Sequence, residues 1–136
     1  MWAEHMVSRT SFRRGGDPAD RTRFEIDLRL NWSRSIPMSC VAEVGLRLDG
    51  DVIDAGTISL TQGGVELPLA GWAERDDIWW PVLDPAIVSA SASSPIVDGT
   101  HELEVELRVR VPGFAPGPDG VWPTRFNRAT VVEELA

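Results

Sequence analysis

The chain has 136 residues, with 21 Asp+Glu against 13 Lys+Arg and a formal net charge of -8. All thirteen basic residues are arginine, and there are two histidines, one cysteine and no tyrosine. These counts exclude an internal disulfide framework, a multi-cysteine zinc site, a lysine Schiff base and a Walker-type phosphate lysine, and the acidic balance argues against nucleic-acid binding.

The length suits one domain over residues 1–136, enough to bury about two-thirds of the unfolded surface. Met1 to Arg14 lacks the apolar core of a secretory signal, and no apolar run approaches the roughly 20 residues of a membrane helix. The expectation is a soluble cytoplasmic protein with no membrane contact.

Residues 13–22 (RRGGDPADRT) read as a flexible polar loop. Phe24, Ile26, Leu28 and Leu30 then alternate with Glu25, Asp27 and Arg29, the period of a half-buried strand. Val41 to Leu48 is a second strand, and Asp49-Gly50 signals a tight hairpin into Val52-Ile53. Thr57 to Leu60 and Val65 to Leu69 flank Gln62-Gly63-Gly64, another hairpin. Ile78, Trp79 and Trp80 form a short strand stopped by Pro81. Pro85 to Ser91 holds at most a helical turn or two, and residues 89–95 (SASASSP) read as a low-complexity loop.

Asp98-Gly99 introduces the clearest strand. His101, Leu103, Val105, Leu107, Val109 and Val111 share one face; Glu102, Glu104, Glu106, Arg108 and Arg110 share the other, which meets water or a partner. A Pro/Gly-rich loop, 112–123, carries Phe114 and Trp122, and Ala129 to Glu133 supplies a last strand. Short strands between ten prolines and twelve glycines predict an all-β, single-domain antiparallel β-sandwich, jelly-roll-like.

Charge is uneven. Residues 1–34 hold seven arginines and five acids, residues 35–107 two arginines and thirteen acids, and residues 108–136 four arginines and three acids. Either the basic ends pack on an acidic surface, or they form an arginine-bearing edge that meets a partner.

Candidate chemistry is sparse. Asp49, Asp51 and Asp54 fit a turn better than a calcium loop, and Asp76-Asp77 belongs to a loop. His5 is near a terminus, His101 is on the inward parity, and the two offer no metal-ligand spacing. Cys40 reads as a small buried hydrophobe. Gly15-Gly16 and Gly63-Gly64 read as turns. The six tryptophans are richer: Trp79 and Trp80 must point to opposite faces, and Trp32 and Trp122 lie in or beside loops. Exposed aromatics mark a sugar-stacking platform or a protein interface.

The segment Asn31-Trp32-Ser33-Arg34-Ser35-Ile36-Pro37-Met38-Ser39-Cys40 follows Ser11-Phe12-Arg13 and the strand Phe24–Leu30. Leu48-Asp49-Gly50, Trp79-Trp80, and Gly99-Thr100-His101-Glu102-Leu103-Glu104-Val105 through Arg110 and Pro112 come after it. In this order the motifs resemble the small (β) subunit of C-glycoside deglycosidases over about residues 11–116. The family loop often carries Tyr-Arg-Gly before its proline; here Trp32-Ser33-Arg34-Ser35-Ile36 stands there.

The resemblance implies a β-sandwich bound in a hetero-oligomer to a larger α subunit, itself similar to a sugar-phosphate isomerase/epimerase barrel. It implies no catalytic, cofactor-binding or metal-binding residue on this chain, and a divalent metal, manganese, on the α subunit. The complex would cleave the carbon–carbon bond between a 3-oxo-glucosyl group and its aglycone, acting as a lyase on a 3-oxo-C-glycoside. A C3 ketone acidifies the C2 proton, and its removal allows elimination at C1. A partner-contact or active-site-entrance role carries over to Trp32, Arg34, Pro37 and Phe114. The alternatives are a free-standing carbohydrate-binding β-sandwich module and a self-sufficient enzyme.

Overall fold

The computed structural model describes residues 6–8, 10–111 and 123–135. Eleven strands run in chain order among them: β1 (Arg13–Arg14), β2 (Arg23–Leu28), β3 (Ile36–Pro37), β4 (Val41–Leu48), β5 (Asp51–Val52), β6 (Ser59–Gln62), β7 (Val65–Pro68), β8 (Trp79–Trp80), β9 (Ala86–Ser91), β10 (Gly99–Arg110) and β11 (Thr124–Leu135). They form a five-stranded sheet in the order β1-β2-β9-β6-β7, a four-stranded sheet in the order β11-β10-β4-β5, and a small β3-β8 ribbon. Every ladder is antiparallel.

The alternation in the sequence explains the packing. Phe24, Ile26 and Leu28 of β2, Leu103, Val105, Leu107 and Val109 of β10, and Leu60, Val88 and Ala90 are all buried in one apolar cluster between the sheets. This is the β-sandwich arrangement, with inner faces meeting and polar faces outward. Trp72, in a helical turn over Leu69–Trp72, adds a buried indole whose Nε1 donates to the Leu60 carbonyl at 3.1 Å.

Three loop expectations change. Arg13–Arg14, read as loop, pairs with Phe24 and Glu25. Residues 89–91, also read as loop, belong to β9, and of the segment Pro85 to Ser91, read as at most a helical turn or two, Ala86–Ser91 is strand. Small residues suit this strand because it lies between β2 and β6; Ser89 is buried and its hydroxyl donates to Glu25. The last strand extends beyond 129–133, pairing twelve residues with β10 without a break. The 112–123 loop, with Phe114 and Trp122, lies outside the described residues except for Pro123.

Two motifs turn out to be structural clamps. In Ser11-Phe12-Arg13, the Ser11 hydroxyl donates to the Ser8 carbonyl at 2.6 Å and accepts from the Asp27 amide at 3.1 Å. Phe12 is buried edge-on to Phe24, with ring centres 5.6 Å apart. Arg13 bridges Glu25 and Asp27, each at 3.1 Å.

The second clamp joins the Asp49-Gly50 turn to the start of β10. Asp49 and Gly50 both adopt positive φ, which the tight turn needs. Asp49 accepts from the Glu102 amide at 2.9 Å, and its Oδ2 lies 2.6 Å from His101 Nδ1. His101 Nε2 lies 2.7 Å from the Val97 carbonyl. Both partners are acceptors, so the protonated ring can donate from both nitrogens, and the site favours the imidazolium. The Asp49 carboxylate raises the His101 pKa, against the opposing effect of burial. The same hydrogen bond lowers the pKa of Asp49.

His101, with its raised folded pKa, stabilises the protein fully below the unfolded value of about 6.5, and that contribution is lost as pH rises through the folded pKa. Asp49 contributes above about 3.9 and loses its contribution as pH falls through its own folded pKa. Thermal midpoints measured in pH steps from about 6 to about 9 should therefore decline. Asp49→Asn should be destabilised at the acid end of that range and show a shallower decline; an unchanged slope would contradict the clamp.

Candidate partner interface at one end of the sandwich

After β2 the chain turns across the end of the sandwich where β10 finishes and β11 begins. Asn31 fixes this turn. It is buried, and its Nδ2 donates to the Leu107 carbonyl and Asn127 Oδ1, each at 3.2 Å, with a longer contact of 3.4 Å to the Arg125 carbonyl. Trp32 follows, half-buried against the core, with the Arg125 guanidinium 5.9 Å from its ring centre. Arg34 is exposed.

The next residues meet a second loop. The Ser35 hydroxyl accepts from the Val82 amide at 3.0 Å, and the Met38 amide donates to the Ile78 carbonyl at 2.9 Å. Between these contacts β3 pairs with β8, setting Ile36 opposite Trp80 and Pro37 opposite Trp79. The Ser39 hydroxyl bonds Asp76, and Arg110 donates to the Ser39 carbonyl at 3.1 Å.

Trp80 anchors the second loop. Its ring is buried, and its Nε1 donates to the Asp84 carbonyl at 2.9 Å across the turn Pro81 to Asp84. Because neighbours on a strand face opposite ways, burying Trp80 turns Trp79 outward, where it is 52% exposed on the same face as half-buried Pro37. Leu83, at the tip of the turn, is 80% exposed. Arg29 donates to the Leu83 carbonyl at 3.3 Å.

Trp32, Arg34 and Pro37 therefore belong to one anchored surface segment. Phe114 lies outside the described residues, but the bases of its segment, Val111 and Pro123, bond to each other at 2.9 Å at this same end. Sequence reading misses Leu83, for which only the bracketing prolines mark a turn. It finds Trp79 in part: parity requires one of the Trp pair to face out but does not say which. A tryptophan and an arginine, on loops pinned by buried indole and amide groups and beside the exposed apolar Leu83, suit a protein-binding surface.

Other reactive groups are occupied or unremarkable. Cys40 is a half-buried free thiol whose pKa is pushed up chiefly by burial. Both nitrogens of His101 are engaged. Among the described residues, no three His, Cys, Asp or Glu side chains gather as a metal site, and no helix is long and apolar enough to cross a membrane.

A family model described as C-glycoside deglycosidase beta subunit matches residues 2–112. A C-glycoside deglycosidase beta subunit from Microbacterium trichothecenolyticum is 30% identical over 93 residues, covering 68% of this chain and 70% of the relative. A 3'-dehydrocarminate deglycosidase beta subunit from a Microbacterium species is 32% identical over 95 residues, covering 69% and 70%. A C-glycoside deglycosidase beta subunit from Arthrobacter globiformis is 28% identical over 92 residues, covering 66% and 69%.

The opposite environments of the two neighbouring indoles give unequal substitution costs. Trp80→Ala should cost about 3–5 kcal/mol in urea unfolding, whereas Trp79→Ala should stay within about 0.5 kcal/mol of the parent. Comparable costs for the two would mean that Trp79 is not the outward residue.

Proposed function

Because the chain belongs to the C-glycoside deglycosidase beta subunit family, we propose that it is an accessory subunit docking on a larger α subunit through the loop end of its sandwich. Trp79, Pro37, Leu83 and Arg34 form the contact, with Trp32 behind them. Docking stabilises the α subunit and shapes the entrance to its active site. The observation that carries this reading is the outward Trp79–Pro37 face, held rigid by Trp80.

The reaction assigned to the complex is carbon–carbon bond cleavage in a 3-oxo-C-glycoside. A base takes the C2 proton, made acidic by the C3 ketone. The bond from C1 to the aglycone carbon then breaks, leaving a C1=C2 double bond conjugated to the ketone, and the aglycone carbon takes up a proton. One relative's name, 3'-dehydrocarminate deglycosidase beta subunit, supports a 3-oxo substrate.

The base and a divalent metal such as manganese are assigned to the α subunit, whose expected fold is an isomerase/epimerase-like barrel. No step of the reaction is assigned to this chain, whose described residues do not suit a metal site. The free thiol of Cys40 fits the reducing cytoplasm, where we place the complex.

Co-expression with a barrel-type α subunit should give a complex that co-purifies. Trp79→Ala and Leu83→Ala should each weaken the complex by about 10-fold or more while leaving the isolated chain's unfolding midpoint unchanged. A parent chain that is stable but never co-purifies with such a partner would remove this reading. Tryptophan fluorescence of the isolated chain should not respond to glycans; a saturable response would favour the carbohydrate-binding module instead.

A further inference from the structure

The sandwich has four sheet edges, and three are blunted. The β1 edge is two residues long, and Val7 bridges to Leu28 beside it. The β5 edge is two residues long. The β7 edge is four residues long and ends at Pro68, which has no amide donor. The fourth edge is β11, which pairs only with β10 among the described residues. It runs for twelve residues in unbroken register and contains no proline. Proteins avoid leaving such an edge bare, because its free amides and carbonyls template another strand; lysine, proline or a bulge are the usual guards. β11 has no lysine, proline or bulge; its guards are the charged side chains Arg125 and Glu133 on the inward parity, which oppose an incoming strand unless it brings matching opposite charges.

The strand's chemistry names its occupant. The chain carries -8 overall, yet β11 holds two arginines and two glutamates and is locally neutral. Its solvent face exposes Val132 (66%) and Phe126 (37%). A two-fold axis perpendicular to the sheet keeps both apolar inner faces on the same side, so the axis must fall on a residue.

With the axis on Ala129, Phe126 faces the second copy's Val132, Arg125 faces the second copy's Glu133, and Arg128 faces the second copy's Thr130. Symmetry repeats each pair. With the axis on Arg128, the two copies of that arginine oppose each other. With the axis on Thr130, Phe126 meets Glu134 and Arg128 meets Val132. Only the Ala129 register, of these three, matches charge with charge and apolar with apolar. Arg125 Nε has no hydrogen-bond partner among the described residues. Among the described residues, Glu133 is held by two 3.3 Å contacts to the Thr10 amide. Arg125 Nε thus lacks an acceptor, and the Glu133 carboxylate, with the Thr10 amide against it, can accept more.

We propose that β11 is a self-association edge, through which two copies of this chain join their four-stranded sheets into one eight-stranded sheet about Ala129. The edge reaches the docking end only at Arg125, which lies over Trp32, while Val132 and Glu133 stand further along the strand; the dimer needs no α subunit and forms in the isolated chain.

Sedimentation equilibrium of the full chain tests it. At about 100 μM the parent should show twice the 15.0 kDa chain mass. Arg125→Glu places glutamate against glutamate, Glu133→Arg places arginine against arginine, and each should raise the dimer Kd at least about tenfold. An equimolar mixture of the two variants restores both opposite-charge pairs and should recover the dimer. Circular dichroism checks that each variant is folded; should one fail, Val132→Asp on the solvent face takes its place as a dimer-breaking variant. A monomeric parent, a dimer that survives either charge reversal in a folded variant, or a mixture of folded variants that stays monomeric would each overturn the proposal.

Discussion

The structure depends on burying one face of β10. This strand lies between β4 and β11, and Leu103, Val105, Leu107 and Val109 all point into the core. Burying a side chain of this size contributes about 1.5–3 kcal/mol, so these four outweigh any single polar contact in the molecule. The alternation cannot slip by one residue, because that would bury the Glu102, Glu104, Glu106 face. With β10 held, its partners follow. β4 must leave through the Asp49-Gly50 turn, β11 must return along the other edge, and β2 and β9 must cover the apolar face.

The motifs that carry the family resemblance serve this constraint more than they serve chemistry. Ser11-Phe12-Arg13 places a ring against Phe24 and His101 and ties the irregular N-terminal edge to β2 through Ser11 and Arg13. Asp49 and His101 stand 52 residues apart in sequence yet meet at the turn that aligns β4 with β10. A histidine whose two nitrogens both face acceptors is favoured in its charged form and serves architecture rather than chemistry. The loop residues act differently. Asn31 and Trp80 use buried polar contacts to hold loops whose exposed side chains are then free for a partner.

Legibility in the sequence follows burial. The strands β2, β4 and β10 and the Asp49 hairpin are readable because each has one wet and one dry face, the condition under which a two-residue period appears. β9 escapes because the residues on its outer face, Ile87, buried Ser89 and Ser91, and its inward ones, Ala86, Val88 and Ala90, differ little in polarity and exposure. The pattern therefore resembles a small-residue loop. The β3–β8 ribbon is hidden for another reason. Two-residue strands carry no period, and their pairing depends on tertiary contacts from Ser35, Met38 and Trp80. Sequence therefore locates Trp32, Arg34 and Pro37 but cannot join them to Trp79 and Leu83.

The two readings of the arginine-rich ends can now be separated residue by residue. Arg13 pairs with Glu25 and Asp27, Arg14 and Arg21 with Asp98, Arg108 with Glu43, and Arg128 with Glu104 and Glu106. Much of the apparent basic surplus is thus neutralised on the sandwich surface, partly by acids of the central segment. Exposed pairs of this kind contribute about 0–1 kcal/mol each, so their value lies in register and local neutrality rather than stability. Arg34 joins none of them. It stands on a pinned loop, in the same segment as Pro37 and Trp32, with its guanidinium uncommitted among the described residues. A weakly hydrated, forked cation in that position loses little when a partner carboxylate arrives, and that makes it the arginine on this surface best suited to an interface.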